Sequence, residues 1–360
     1  MLKLQTMKNV EQYLRIYNEL ANQSKEKWNE NYPPKTWDEF YTWNTKNYKK
    51  YLKNIKDDVK RTKSYVRLSY TLNEFGFYNT FQKLDYRRLN DVLYQTSRQK
   101  LLNLGMMGSG TDHCHVFLEA TNSFACNDFE IIDHFFPKAL QHSKGVYYTE
   151  VSVNLLKVLY FNETDLRDEA LRKADKFLSA KITLWERYVV LYFKALINLD
   201  DKEASICLLE LCVAYQKMEH SVDKLYNKLA KCFGSEIHGL YRFARTVNLD
   251  FFNTIKQPKH HCFWQEFELW QKENNYPRGN CFYTYPNEMD FMNKIFEAEL
   301  PTVALYNPYP NKKKLYKDAD KFAIELTENA IKLYGERETN SNESLASRWL
   351  KYIRLPKFFN

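Results

Sequence analysis

The sequence predicts an all-α fold, and three observations carry that prediction. Glycine supplies only 9 and proline only 10 of the 360 residues, whereas average usage of about 7% and 5% would give roughly 25 and 18. Apolar residues recur at helical spacing along most of the chain, and strand patterns are weak throughout. Glycine costs about 1 kcal/mol inside a helix, whereas sheets and phosphate-binding loops need it in their turns. The shortage therefore favours helices and disfavours Rossmann sheets, barrels and collagen.

The N-terminal segment begins with two long predicted helices. The first covers residues 9–29 and precedes a pair of prolines. The second begins at Thr36, which is followed three residues later by Glu39. That spacing is a capping box, in which each side chain satisfies a backbone donor of the other residue. We expect the second helix to run from residue 36 to about residue 72.

A third helix is predicted for residues 84–104, ending at Gly105. Three of the nine glycines lie within residues 105–110, where the series of long predicted helices ends. We therefore place a domain boundary there, between a basic helical N-terminal domain at 1–105 and a helical domain at 106–360.

Beyond residue 127 the predicted helices are shorter, evenly spaced and joined by short links. They cover 128–142, 147–160, 165–180, 182–198, 201–216, 220–233, 237–247, 260–274, 287–298, 313–334 and 341–353. Short links imply antiparallel neighbours, and the regular spacing predicts an array of αα-hairpins. Thr164 and Asp200 are predicted N-caps. Residues 281–285 could be extended, but one short segment does not make a sheet.

Positive charge is concentrated at the N-terminus. The net charge is +8, and residues 1–110 alone carry 20 basic and 11 acidic side chains. Within the second helix, residues 46–67 place lysines along one face and apolar residues along another, as in an amphipathic helix. A basic face of this kind could contact nucleic acid or an acidic protein, although a solvated face is the simpler interpretation.

The seven cysteines indicate a reducing compartment. Their number is odd, and several lie inside apolar helical patterns, as expected for free, buried thiols in the cytosol. We find neither a secretory signal nor an apolar run long enough to cross a bilayer. The expected location is therefore the cytoplasm, with no membrane partner.

Two short His/Cys groups attract attention, at residues 113–115 and 260–262. Zinc takes four N or S ligands, but neighbours at i and i+2 face different sides of a helix. A Cys–His nucleophile pair at Cys114 would need a third orienting group. The acidic groups near residues 128–133 and 165–169 fit first-turn helix positions, where carboxylates complement the dipole. We therefore predict no metal, no cofactor and no enzymatic activity.

Partner contacts are predicted on two aromatic, proline-containing loops and on the basic helix. Tyr and Arg are enriched at protein interfaces. The candidate contact residues are Arg278, Tyr283, Tyr285, Tyr306, Tyr309, Lys49, Lys53, Lys56 and Lys60.

The stretch from Asp128 to Glu219 supplies a family resemblance. It contains DFEIIDHFFPKAL, YYTEVSVNLLKVLYFNETDLRDEALRKADKFL and ITLWERYVVLYFKALINLDDKEASICLLELC. This pattern of apolar positions and helix breaks resembles the immunity protein 49 family of bacterial polymorphic toxin systems, over about residues 111–300. The resemblance implies a helical cytosolic protein that neutralises a cognate toxin by occlusion. The alternative function is a nucleic-acid-binding or regulatory scaffold that uses residues 46–67.

Overall fold

The computed structural model describes residues 2–64, 71–107, 113–309, 311 and 315–339. The all-α prediction is confirmed. The α-helices are α1 Leu2–Trp28, α2 Trp37–Tyr51, α3 Asp58–Lys63, α4 Thr71–Phe81, α5 Tyr86–Met106, α6 Phe117–Phe124, α7 Ile131–Phe135, α8 Tyr148–Tyr160, α9 Arg167–Leu178, α10 Leu184–Ile197, α11 Asp201–Lys217, α12 Lys224–Ala230, α13 Ser235–Val247, α14 Leu249–Thr254, α15 Gln265–Glu273, α16 Asp290–Glu297 and α17 Ala319–Thr339. Short 3₁₀ turns cover His113–Val116, Thr164–Leu166 and Asn287–Met289.

A minimal antiparallel sheet joins two short strands near the C-terminus. Strand β1 is Leu305–Tyr306 and strand β2 is Tyr316–Lys317, with Leu305 opposite Lys317. Residues 281–285 form no strand. The predicted helix at 341–353 and most of the glycine-rich junction, residues 108–110, lie outside the described residues.

The second predicted helix is wrong in its length. Its start is correct, because Thr36 and Glu39 form the predicted capping box. However, α2 ends at Tyr51, and the next residue, Leu52, is buried in the core. The Asp57 carboxylate then accepts a hydrogen bond from a backbone N–H of α3 at 2.7 Å and caps that new helix. A second N-cap signal inside an apolar pattern therefore divides the helix.

Gly105 does not end the third helix, as the sequence predicted, but lies inside α5. A Cβ atom at this position would be 2.5 Å from a ring carbon of Phe322. Glycine is therefore needed for the close approach of α5 and α17, and not for a helix terminus.

The helical array from α8 to α11 follows the prediction closely. Helix α8 packs against α9 and α10, and α10 packs along α11. Asp200 caps α11 by accepting a hydrogen bond from the Glu203 backbone N–H at 3.0 Å, as predicted. Thr164 is not an N-cap, because it lies in a 3₁₀ turn and no side chain caps α9. The capping box instead belongs to Thr183 and Glu186, at the start of α10.

Two other predictions in this region need correction. The helix expected at 128–142 is only the five-residue helix α7. It ends at Phe135, because Pro137 disfavours helical backbone at the preceding residue, Phe136. The helix expected at 260–274 begins only at Gln265, so residues 260–264 belong to the loop before it. Helix α14, which precedes this loop, was not predicted.

Two large apolar cores hold the helices together. One runs from α5 through α6–α11 and α13 to α16 and α17. The other joins α1, α4 and α5 to α12 and α15. Helices from both sides of residue 105 therefore share both cores. The division into domains at 1–105 and 106–360 stays a prediction.

Candidate functional site

The four predicted contact lysines lie on the surface around the break between α2 and α3. These residues, which we call the lysine surface, are Lys49, Lys53, Lys56 and Lys60. Among the described residues, no carboxylate forms an ion pair with any of them, whereas Lys46 pairs with Glu30 and Lys63 with Asp320. The lysine surface therefore presents four ammonium groups without a described ion-pair partner, although the Asp57 carboxylate, bound to the Lys60 backbone N–H, lies among them.

The predicted tyrosine contacts divide into exposed and buried residues. Tyr306 and Tyr309 are 46% and 52% exposed, beside the small sheet. Tyr283 is half-buried and stacks on the Trp37 ring at 5.5 Å between centroids. Tyr285 is only 2% exposed, so it lies in the core and is not a surface contact. Gln95 causes this inward turn, because its side chain bonds the Tyr283 backbone N–H and C=O at 2.7 and 2.8 Å.

Arg278, which was predicted as a partner contact, also has a structural role. Its guanidinium lies 3.0 Å from the buried Asp128 carboxylate and 2.8 Å from Glu130. Arg98 pairs with the same two carboxylates. Asp128 and Glu130 therefore neutralise arginines, in addition to any contribution to a helix dipole. Although burial alone would raise the pKa of Glu130, hydrogen bonds from the two arginines lower it.

A second charged network is fully buried. Glu268 on α15 accepts a hydrogen bond from the Arg242 Nε at 2.7 Å and lies 2.5 Å from the Nδ1 atom of His238. The imidazole Nε2 in turn accepts the backbone N–H of Trp264 at 3.1 Å. His238 and Arg242 are four residues apart on α13, within an otherwise apolar face. Two polar residues four positions apart on an apolar helix face could have indicated a buried polar network from the sequence. This spacing does not identify Glu268 as their partner.

The structure brings the second His/Cys group together with a cysteine from elsewhere in the chain. Ligand atoms of Cys212, His260 and Cys262 all lie within 4.8 Å of one another, and we call these residues the Cys₂His cluster. The Cys262 Sγ is 3.2 Å from the His260 Nδ1. A hydrogen bond from Cys212, together with the adjacent imidazole, lowers the pKa of the Cys262 thiol and correspondingly raises that of Cys212.

The first His/Cys group is different. The Cys114 Sγ lies 3.7 Å from the His113 Nε2 and 3.3 Å from the Ser143 hydroxyl oxygen. Cys114 and His113 are both buried in the 3₁₀ turn before α6. A solvent-borne substrate has no direct access to this pair, which is consistent with a packing role.

A cavity of about 360 Å³ opens between α4, α5, α6 and α13. Glu74, Lys100, Glu119 and Glu236 line it together with several tyrosines. Lys100 lies 3.4 Å from a Glu119 oxygen. Burial raises the pKa of both Glu74 and Glu236, because a desolvated carboxylate is less favourable than the neutral acid. The cavity thus combines three carboxyl groups with a single lysine.

Comparisons with protein-family models, with curated proteins and with solved structures found no match. Within the described ranges, every helix is too short or too polar to cross a lipid bilayer.

Proposed function

We propose that this protein is an immunity protein, which binds a cognate bacterial toxin and neutralises it by occlusion, without catalysis. The resemblance of residues 128–219 to an immunity family suggests this class. The observation that carries the proposal is the lysine surface, with four exposed cations and no described carboxylate paired to them.

A surface with more lysines than carboxylates favours an acidic partner. Contact between two surfaces of like charge would cost several kcal/mol. A surface of opposite charge instead speeds association and fixes the orientation of the partner. The toxin face that docks here is therefore expected to carry Asp and Glu. Exposed Tyr306 and Tyr309 add the kind of aromatic contact that protein interfaces favour.

Two observations favour a protein partner over nucleic acid. The basic residues do not follow one continuous helix, because the chain breaks between α2 and α3. A recognition element in the major groove is usually a single helix or ribbon. In addition, Tyr48 and Tyr51 pack against the core, so they do not form an exposed platform on which bases could stack.

The test is a pull-down with the product of the neighbouring gene as the candidate toxin, in an inactivated form. Wild-type protein is compared with a Lys49→Glu/Lys53→Glu/Lys56→Glu/Lys60→Glu variant. A matched control reverses four other exposed lysines, Lys144, Lys176, Lys181 and Lys202. We expect the first variant to bind at least about tenfold more weakly and the control to bind like wild type.

A gel-shift assay with labelled DNA and RNA at low salt separates the alternative. Absence of toxin binding, together with a nucleic-acid shift that the four reversals abolish, would replace this proposal with a nucleic-acid function. Equal toxin binding by wild type and the four-lysine variant would remove the lysine surface from the interface.

A further inference from the structure

We propose that Cys212, His260 and Cys262 form a zinc site with one open coordination position. Cys212 lies on α11, and the other two residues lie in the loop before α15. The metal would tie this helix to that loop. The proposal is independent of toxin binding.

The donor atoms already lie close to a metal-binding arrangement. Zinc holds sulfur at about 2.3 Å and nitrogen at about 2.0 Å, so tetrahedral donors lie roughly 3.3–3.8 Å apart. The three donors here fall within 4.8 Å of one another, and the Cys262 Sγ is 3.2 Å from the His260 Nδ1. The donor atoms therefore lie within about 1 Å of tetrahedral spacing.

The loop that carries two of the ligands is held in place from several sides. The Gly234 N–H donates a hydrogen bond to the Cys262 carbonyl at 2.8 Å, and the Phe263 N–H donates to the His260 carbonyl at 3.0 Å. A Cβ atom on Gly234 would come within 3.4 Å of that Cys262 carbonyl oxygen. The Asn9 side chain donates to the His261 carbonyl. Such anchoring pre-orients ligands, as outer hydrogen bonds do at established metal centres.

The donor types select the metal. Two thiols and an imidazole suit zinc and other soft or borderline ions, whereas Mg²⁺ and Ca²⁺ prefer oxygen. Both cysteines are fully buried, and half-buried His260 marks the side from which an ion enters. Three protein ligands leave a fourth position for water. The centroid of the His261 ring lies 4.3 Å from that of the His260 ring.

The rival interpretation is a redox pair, because neighbouring thiols can also be oxidised to a disulfide. The structure contains both as free thiols. The two possibilities differ in their chemistry, since zinc binding needs no oxidant and is reversed by a chelator.

The experiment measures zinc on purified full-length protein kept under reductant. After removal of metal with a chelator, one equivalent of Zn²⁺ should bind and raise the thermal midpoint, and chelator should reverse the shift. Co²⁺ should give sulfur-to-metal charge-transfer absorption. Cys212→Ser and Cys262→Ser should lose both signals, and His260→Gln should bind more weakly. Cys207→Ser, a buried thiol on the same helix, should retain them.

The wild-type titration keeps the test decisive even where a variant fails to fold. Absence of zinc-dependent stabilisation in reduced wild type would overturn the proposal. It would also be overturned by zinc that persists in both serine variants, or by a Cys212–Cys262 disulfide without zinc affinity in the reduced form.

Discussion

Glu268 lies between Arg242 and His238 in the interior, and all three side chains are almost completely inaccessible. Burial alone would raise the pKa of Glu268, but Arg242 and His238 lower it, so the carboxylate stays charged. We expect Glu268→Ala to lower the free energy of unfolding by about 3–5 kcal/mol, because it leaves a buried guanidinium without its main partner. Urea unfolding measures this. Glu273→Ala, at an exposed position on the same helix, should change it by less than about 0.5 kcal/mol, and equal effects would contradict the account.

Gly105 provides a second test at this scale. Gly105→Ala should destabilise the protein by about 1–3 kcal/mol through overpacking against Phe322, despite the better helix propensity of alanine. The same substitution in a Phe322→Leu background should cost clearly less, as measured by denaturant unfolding. A stabilising Gly105→Ala change would show that α5 and α17 do not approach as closely as described.

Lys317 predicts a pH dependence. Burial lowers the pKa of Lys317 from 10.5 to about 8. Between these values the unfolded chain binds more protons than the native one, so this residue makes stability rise with pH. Because Lys317 also donates a hydrogen bond to the Leu104 carbonyl, the prediction concerns the change with pH: the stability of Lys317→Met relative to wild type should fall as pH rises above 8. Thermal unfolding from pH 7 to 10 tests this, with Lys332→Met, at an exposed position, as the control. A gap that stays constant would contradict the stated pKa.

At the scale of single helices, caps decide where segments begin. Thr183 forms a capping box with Glu186, whereas Thr164 is exposed and caps no α-helix. Thr183→Ala should cost about 0.5–2 kcal/mol, and Thr164→Ala should cost close to nothing. Denaturant unfolding of the two variants makes this comparison. Similar losses from both would mean that the cap at Thr183 does not stabilise α10.

Local signals predict local elements well and fail where distant contacts decide. The apolar periodicity and capping residues predicted α8 to α11 to within a few residues. Apolar periodicity alone predicted one helix continuing past Leu52. A periodic pattern does not show that Asp57 is the N-cap of a new helix. Tyr285 was expected at the surface, but Gln95, distant in sequence, draws the adjoining backbone inward. The Cys₂His cluster was missed for the same reason, since Cys212 is far from His260 along the chain.

Across the whole molecule, the charge distribution supplies the functional argument. The N-terminal region carries the net excess of positive charge, with 20 basic and 11 acidic side chains in residues 1–110. It shares its cores with helices from the rest of the chain. The lysine surface therefore belongs to helices that pack against the rest of the protein, and not to a separate N-terminal segment. A preorganised surface loses little conformational entropy on binding, which suits tight occlusion of a toxin.

A growth assay tests the central proposal most directly. Cells express the candidate toxin, which is the product of the neighbouring gene, together with wild-type protein, the four-lysine reversal or the control that reverses Lys144, Lys176, Lys181 and Lys202. The account predicts full rescue by wild type and by the control, and loss of rescue with the four-lysine variant at equal protein abundance. Continued growth arrest with wild-type protein present would contradict the immunity function.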